Sequence, residues 1–386
     1  LDSDPRRALL LDLFRQAVGA VEGRRRVRAA LAGAKLAEPV SAFAVGKAAA
    51  SMMLGARDAL GTVLARGLVV TPEGAITSEL RDLAGMQCLE AGHPRPDARS
   101  LSAGDALLEF AAATPAGGTA LLLVSGGASA LIEVPVAGVG LAELAALYDR
   151  SLVEGFDIER LNRERRALSR IKGGGLVRLF AQARIEALAI SDVPRDDPAV
   201  LASGMLAGPG IVPRVVGSLD DALDAAVRGA AMRGLQVLRR PARLAGDAEA
   251  AARAICHELA IGGVDLLACG GETVVRLPEH AGRGGRCQHL ALAAARAIEG
   301  HEAYVLLAAG TDGRDGASED AGALVDGATC ERARDAGLDP GEALAAADSG
   351  SLLEATGDLI HTGLTGTNVG DVVLALRLAP GAEGAM

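Results

Sequence analysis

The sequence predicts an α/β protein in two parts, and three observations predict it. Short apolar runs of Val, Leu, Ile and Ala alternate with helical segments, the pattern of a parallel sheet with helices on both faces. Four of these runs end in polar or glycine-rich loops: Gly46-Lys47, Gly92-His93-Pro94, Ser125–Ser129 and Ser191-Asp192. In such sheets ligands sit at the carboxyl ends of strands. Third, 50 glycines in 386 residues are too many for a helical bundle, and they lack the strict period of collagen.

The elements follow in order. Residues 5–35 read as one or two amphipathic helices. Ser41–Val45 is a strand ended by Gly46, and 47–60 is a helix rich in Ala, Met and Leu. Gly67–Thr71 and Met86–Glu90 are strands, Ser100–Ala113 a helix, and Ala120–Val124 a fully apolar strand followed by a helix. Leu141–Gly155 and Ile158–Ala183 read as helices, the second interrupted at Gly173–Gly175. Ile185–Ile190 is a strand. Gly and Pro cluster at Gly208–Pro213, which places a domain boundary there: 1–212 and 213–386, with the last strand free to return to the first domain. In the second half 220–233, 247–261 and 287–299 read as helices. Asp265–Ala268, Thr273–Leu277, Tyr304–Ala308 and Val372–Leu376 read as strands.

Composition excludes several functions. The charge balance is 39 basic against 49 acidic residues, net −10, with no basic block beyond Arg24–Arg26. Duplex nucleic acid is a poor partner for such a surface. Five Phe, two Tyr and no Trp leave few platforms for stacked bases. The uncharged stretch 110–132 is long enough to span a bilayer, but Pro115, Gly117-Gly118 and Ser125-Gly126-Gly127 break it. No apolar leader follows Leu1, and five cysteines without a CxxC fit reduced thiols. A cytoplasmic monomer or homodimer is expected, with no membrane partner.

Candidate chemistry gathers at the loops. Only three of the basic residues are lysines, Lys35, Lys47 and Lys172. Lys47 opens a helix after a strand, where the helix dipole already favours an anion. A phosphate would neutralise it; the alternative is a solvated lysine. Ser125-Gly126-Gly127-Ala128-Ser129 joins strand to helix and can cradle phosphate oxygens; the alternative is a tight turn with a serine cap. Asp192, Asp312 and Asp315 lie at strand ends, where a carboxylate can hold Mg²⁺ or orient a hydroxyl, or simply cap a turn. GxxxxGK[ST] is absent. So is a dinucleotide fingerprint, because Gly138-Val139-Gly140 continues into Glu143 with no strand before it. Cys269, His280, Cys287 and His289 match no common zinc spacing. Cys287, at a helix start beside Arg286, is a candidate for a lowered thiol pKa.

Taken together these motifs resemble one family, the class II glycerate kinases, glycerate 2-kinases with a C-terminal MOFRL domain. The matching segments are Val45-Gly46-Lys47-Ala48, Gly92–Asp97, Ser125–Ser129, Ser169–Gly174, Ser191–Pro194, Gly270–Thr273, Gly284-Gly285-Arg286, Gly310–Gly313 and Thr365–Val369, in the family's order. The resemblance implies a Rossmann-like parallel-sheet N-terminal domain, a smaller α/β C-terminal MOFRL domain and an active site in the cleft between. It implies ATP- and Mg²⁺-dependent phosphorylation of D-glycerate to 2-phosphoglycerate. Lys47, Arg286 and Asp192 are the implied catalytic residues. Ser125, Gly126, Gly127, Ser129, Gly270, Gly271, Glu272, Thr365, Gly366, Thr367 and Asn368 would hold the nucleotide, and Asp192 and Asp312 the metal.

The chain departs from the pattern at several positions. Cys287 and His289 stand where the family has Asn and Glu, Arg195 where it has Gly, and Met205 where it has Pro. Ala167 lies near a usual His, and Leu364 and Gly370 replace Pro and Asn. A change of acceptor, or lost turnover, is therefore the main alternative. A nicotinamide-dependent hydroxypyruvate reductase is the second, and the missing fingerprint speaks against it.

Overall fold

The computed structural model describes residues 4–378. The chain forms two compact units. The first is Val21–Ser218 with Gly366–Val369; the second comprises the residues up to Ala20, Leu219–Thr365 and those from Gly370 onward.

The first unit is built on six parallel strands: β1 (Val40–Val45), β2 (Leu64–Pro72), β3 (Met86–Ala91), β4 (Thr119–Val124), β5 (Arg184–Ser191) and β6 (Arg214–Ser218). Their order is β3-β2-β1-β4-β5-β6, the dinucleotide-fold order, with its reversal between β1 and β4. Every residue of β1 and β4 is buried, because helices cover both faces of the central strands. Aromatic scarcity leaves the core to Leu, Val, Ala and a few rings, with Phe110 and Phe180 edge-to-face at 6.4 Å.

The second unit carries β7 (Val237–Arg239), β8 (Leu266–Gly271), β9 (Tyr304–Gly310), β10 (Gly322–Asp326), β11 (Leu359–Ile360) and β12 (Asp371–Arg377). The order is β11-β10-β9-β12-β8-β7. Only β7 and β8 pair in parallel; β12 lies antiparallel between β8 and β9. The last strand therefore completes the second sheet and does not return to the first; only Gly366–Val369 does.

The compact units divide after Ser218, six residues beyond the boundary read from the sequence. Gly208–Pro213 is a loop inside the first unit, leading to the short edge strand β6, which runs directly into helix Leu219–Ala231. Helix Pro5–Ala20 belongs to the second unit. It lies so close to helix Leu219–Ala231 that a Cβ at Gly229 would overlap Gln16. Its buried Arg7 reaches Asp358 at 2.8 Å and Asp326 at 2.5 Å. Thr273–Leu277 is not a strand. It makes one bridge, at Val274, because both sides of β8 are already taken by β7 and β12. Val274 and Leu277 consequently stand exposed. The long helix expected over 158–183 is two shorter ones, Ile158–Ala167 and Gly175–Leu179, separated where Gly173 and Gly174 turn left-handed (φ 57° and 80°). The basic run Arg24–Arg26 is a helix start: Arg24 pairs with Asp58 (2.6 Å) and Glu79 (2.9 Å). The 110–132 stretch resolves into a helix end, β4 and a short helix, and no helix among the described residues is long and apolar enough to cross a membrane.

Arg195 has φ 59° with its side chain exposed, a backbone region that costs a non-glycine residue about 1 kcal/mol or more. Arg195→Gly should raise the first unit's thermal midpoint by about 2 °C. Calorimetry of the variant checks this, and an unchanged or lower midpoint would mean the strain is offset locally.

Candidate active site

The polar loops of the parallel sheet meet at its carboxyl edge. β1 and β4 run in register, Val45 beside Val124, so their outgoing loops leave at one level on either side of the reversal point. Gly46 (φ 122°) lets them touch: a Cβ there would overlap Ser125. The Lys47 N–H donates to Gly126 O at 2.9 Å, and the Ala48 N–H donates to Ser125 Oγ at 3.0 Å. Ser125 is fully buried, so its hydroxyl caps the start of the helix that follows Lys47 and acts as a positioning group.

Lys47 and His93 converge over Gly127, where a Cβ would lie 3.2 Å from Lys47 Cγ and 3.1 Å from the His93 ring. His93 was not singled out as a site residue by sequence; its signal was the loop it occupies after β3. Gly126 is tighter still. A Cβ there would overlap Asp192 Oδ2 and Asn368 Nδ2, and the Asn368 amide donates to that same Oδ2 at 3.1 Å. Asn368 reaches this place because Gly366–Val369 is threaded into the first unit. The Gly23 N–H donates to Gly366 O (3.1 Å), and the Thr367 hydroxyl donates to Val21 O (2.7 Å). Thr367 and Gly366 therefore anchor the segment, and Asn368 carries its polar group to Asp192. The Ser129 and Ser203 hydroxyls lie 2.8 Å apart, and Ser203 donates to Asn162 Oδ1 at 2.8 Å. Ala202 and Ser203 have positive φ, 49° and 57°. Nothing in the sequence marks non-glycine residues in that conformation, so Ser203 was missed.

A second polar cluster lies in the second unit, around the start of helix Arg286–Ala297. The Arg286 guanidinium grips Asp371 with two bonds, Nε to Oδ2 at 2.5 Å and Nη2 to Oδ1 at 3.0 Å, while Nη1 donates to Glu272 Oε1 at 2.6 Å. Asp371 is buried and Glu272 exposed. Gly270 and Gly271, expected to hold nucleotide, serve backbone packing. A Cβ on Gly270 would sit 2.5 Å from Asp371 O, and one on Gly271 would overlap Leu244. The Thr365 hydroxyl donates to Thr311 O at 2.5 Å, and the Thr311 N–H to Gly370 O at 3.0 Å, so Thr365 ties two loops. Asp312 accepts from the Arg314 N–H at 3.1 Å. Asp315 is the helix cap: its two oxygens accept from the Cys287 N–H (3.0 Å) and Gln288 N–H (2.7 Å). Burial, with Asp371 nearby, pushes its carboxyl up to about 7.

The departures after Arg286 are accounted for here. Cys287 is buried, and burial with the fields of Asp371 and Asp315 drives its thiol well above the usual range. The expectation of a lowered thiol pKa is thus overturned: desolvation and two carboxylates outweigh Arg286. His289 points to Ser349 Oγ (3.2 Å) and Glu249 (3.7 Å), and burial lowers its pKa, so it is neutral at pH 7. The five cysteines are free thiols. Gly138–Gly140 opens helix Leu141–Val153 but follows no strand, whereas a dinucleotide turn joins a strand to a helix. No group of three or more metal-ligating residues occurs among the described residues.

The fold is a two-unit α/β fold with a lysine at the reversal point of a parallel sheet, the place where such sheets bind ligands. Two family models match the chain. A domain of unknown function (DUF4147) matches residues 9–212, and the MOFRL family matches residues 265–371. The chain is 34% identical to a D-glycerate 2-kinase of Thermotoga maritima, across 97% of this chain and 99% of that one. It is 30% identical to a glycerate 2-kinase of Pyrococcus horikoshii, covering 87% of each. A protein of Agrobacterium vitis provisionally named hydroxypyruvate reductase is 34% identical over 85% of this chain and 96% of its own. The crystal structure of the Thermotoga maritima glycerate kinase superposes with a TM-score of 0.84 at 33% identity, covering 97% of this chain and all of that one. The chain belongs to the glycerate 2-kinase family with a C-terminal MOFRL domain.

Two predictions follow from this geometry. Gly126→Ala forces apart Asp192 and Asn368; a displacement near 1 Å lowers turnover about 100-fold with the circular dichroism spectrum unchanged, as a glycerate-dependent ADP-release assay would register. Asp315 titrates at 3.8 when unfolded and about 7 when folded. Its contribution to stability is full below pH 4 and is lost as pH rises toward 7, because the folded state holds the proton over that interval. Urea midpoints at pH 4.5 and 7.5 should therefore shift less in Asp315→Asn than in the parent protein.

Proposed function

We propose that the chain transfers the γ-phosphoryl group of ATP to the 2-hydroxyl of D-glycerate, giving 2-phosphoglycerate and ADP. The observation that carries this reading is the placement of Lys47 at the sheet's reversal point, beside Asp192 and Asn368, in a chain similar along its length to glycerate 2-kinases. The hydroxyl oxygen forms the new P–O bond and the bond from the γ-phosphorus to the bridging oxygen breaks, so the electron pair leaves with ADP. Such transfer depends on positioning and on cations around the equatorial oxygens. In this reading Lys47 neutralises the moving phosphoryl group. The Ser125–Ser129 loop brings its backbone against the phosphates, with Gly126 and Gly127 as the points of approach and Ser129 presenting a hydroxyl.

Arg286 supplies the second cation. Its grip on buried Asp371 fixes the guanidinium, while its bond to exposed Glu272 is the one a phosphate or carboxylate would replace. Mg²⁺ is normally held by one or two carboxylates with phosphate and water completing its shell, so a lone acid suffices. Asp192 in the first unit is the carboxylate that would hold it, with Asp312 the competing candidate, and bound Mg²⁺ would offset phosphate charge. Asp192 is also the group that would orient the attacking hydroxyl.

The test is ³¹P NMR with Mg-ATP and D-glycerate. A growing 2-phosphoglycerate resonance supports the reading, 3-phosphoglycerate overturns the position of attack, and no product from folded protein overturns the acceptor. NADH oxidation with hydroxypyruvate, run alongside, would instead favour the reductase. Lys47→Ala should reduce turnover about 100- to 1,000-fold; wild-type turnover would remove Lys47 from the mechanism.

A further inference from the structure

Beside Ser129 the first unit encloses a small cavity of about 20 Å³, lined among others by Pro96, Ser129, Leu147, Tyr148, Arg165 and Lys172. That is room for one or two water-sized groups. Its floor is an ion pair between Lys172 and Glu133, which are 3% and 4% exposed. The Glu133 carboxylate accepts three hydrogen bonds. One oxygen accepts from the Ser169 hydroxyl and the Val134 N–H, and the other accepts from Lys172 Nζ. Arg165 points its charge at the same cavity and is only half exposed, yet its guanidinium makes no hydrogen bond or ion pair among the described residues. It meets Glu133 and Tyr148 only through space. Two cations thus face one carboxylate, and the Arg165 guanidinium has no protein acceptor among the described residues. Leu144 and Leu147 keep the surroundings apolar, which raises the cost of unpaired charge.

We propose that this cavity is the carboxylate subsite for the acceptor: the carboxylate of a small hydroxy acid docks on Arg165, with Lys172 and the Ser129 hydroxyl beside it. The proposal rests on the phosphoryl-transfer reading and names the part of that site that selects an acid. The charge excess is one unit, which a carboxylate balances and a phosphoryl dianion overshoots. The small volume favours a planar two-oxygen group over a bulkier tetrahedral one. A guanidinium fork matches that plane. Ser129 links the subsite to the loop that carries Gly126 and Gly127, so an acid held here presents its neighbouring hydroxyl to the same loop. The sequence marked Lys172 as a rare lysine and as part of the matching segment Ser169–Gly174; Arg165 carried no signal, since arginine fills almost every basic position of this chain.

The experiment compares the parent enzyme with Arg165→Gln and Arg165→Lys, varying D-glycerate and ATP separately. The expected result is a KM for D-glycerate raised about 10- to 100-fold in Arg165→Gln, partial recovery in Arg165→Lys, and a KM for ATP within about twofold of the parent. The preference for D-glycerate over its neutral amide should shrink by the same factor. An unchanged KM and preference in folded Arg165→Gln would overturn the subsite and leave the kinase reading standing. Phenylglyoxal modification of the parent enzyme, mapped by mass spectrometry, gives a readout that needs neither turnover nor the variant. Protection of Arg165 by D-glycerate, lactate or glycolate, with none by the amide, sustains the subsite even if D-glycerate is not phosphorylated. Absence of protection overturns it.

Discussion

The close approach of two loops at the end of a parallel sheet is the constraint on which the first unit depends. Gly46 gives the chain after β1 room to touch Ser125, and Gly126 leaves Asp192 and Asn368 no space for a side chain between them and the backbone. Four separate stretches of sequence, after β1, β4 and β5 and from near the end of the chain, therefore share one small volume. A cation, an acid, an amide and open backbone come together there because three of the segments end parallel strands, and parallel strands deliver their carboxyl ends to a single edge.

That edge was legible in the sequence because it is written in local signals. Apolar runs ended by Gly-Lys, Gly-His-Pro, Ser-Gly-Gly and Ser-Asp announce strand ends without knowledge of pairing, and β1, β3, β4 and β5 were placed to within two residues. What failed was long-range. Helix Pro5–Ala20 buries Arg6 and Arg7, and its bonds to Asp326 and Asp358 and its packing on helix Leu219–Ala231, none of them local in sequence, assign it to the second unit. β6, β7 and β11 are too short to carry a pattern. Thr273–Leu277 had the composition of a strand but no free neighbour to pair with. Ser203 and Arg165 owe their places to backbone turns and to a charge imbalance that no spacing rule encodes.

The second unit orders its charges differently. Asp371 and Asp315 lie close to Arg286 and to each other, and each has a distinct task. Asp371 fixes the guanidinium by a two-point grip, whereas Asp315 satisfies the first N–H groups of the helix that carries it. Glu272 is the exchangeable third. Replacement of the usual Asn and Glu by Cys287 and His289 leaves this arrangement intact, because the thiol is held neutral by burial and the imidazole turns toward Ser349. Cys287 still faces Asp371 and Asp315, but as a neutral thiol it adds no charge beside Arg286, whereas His289 lies toward Ser349 and Glu249.

The position of β12 has a consequence for synthesis. It is the last strand read from the message, yet it lies between β8 and β9, and the four residues just before Gly370 complete the first unit at Asp192. A nascent chain emerging from the ribosome therefore holds helix Pro5–Ala20 without its partners for most of translation, and the second sheet stays split in two until the final strand arrives. Parallel β1–β6 can assemble early, but the amide that meets Asp192 comes late. Neither unit is complete until the segment 366–377 has been made, so a product truncated before it would carry the parallel sheet without Asn368 and the second sheet without its middle.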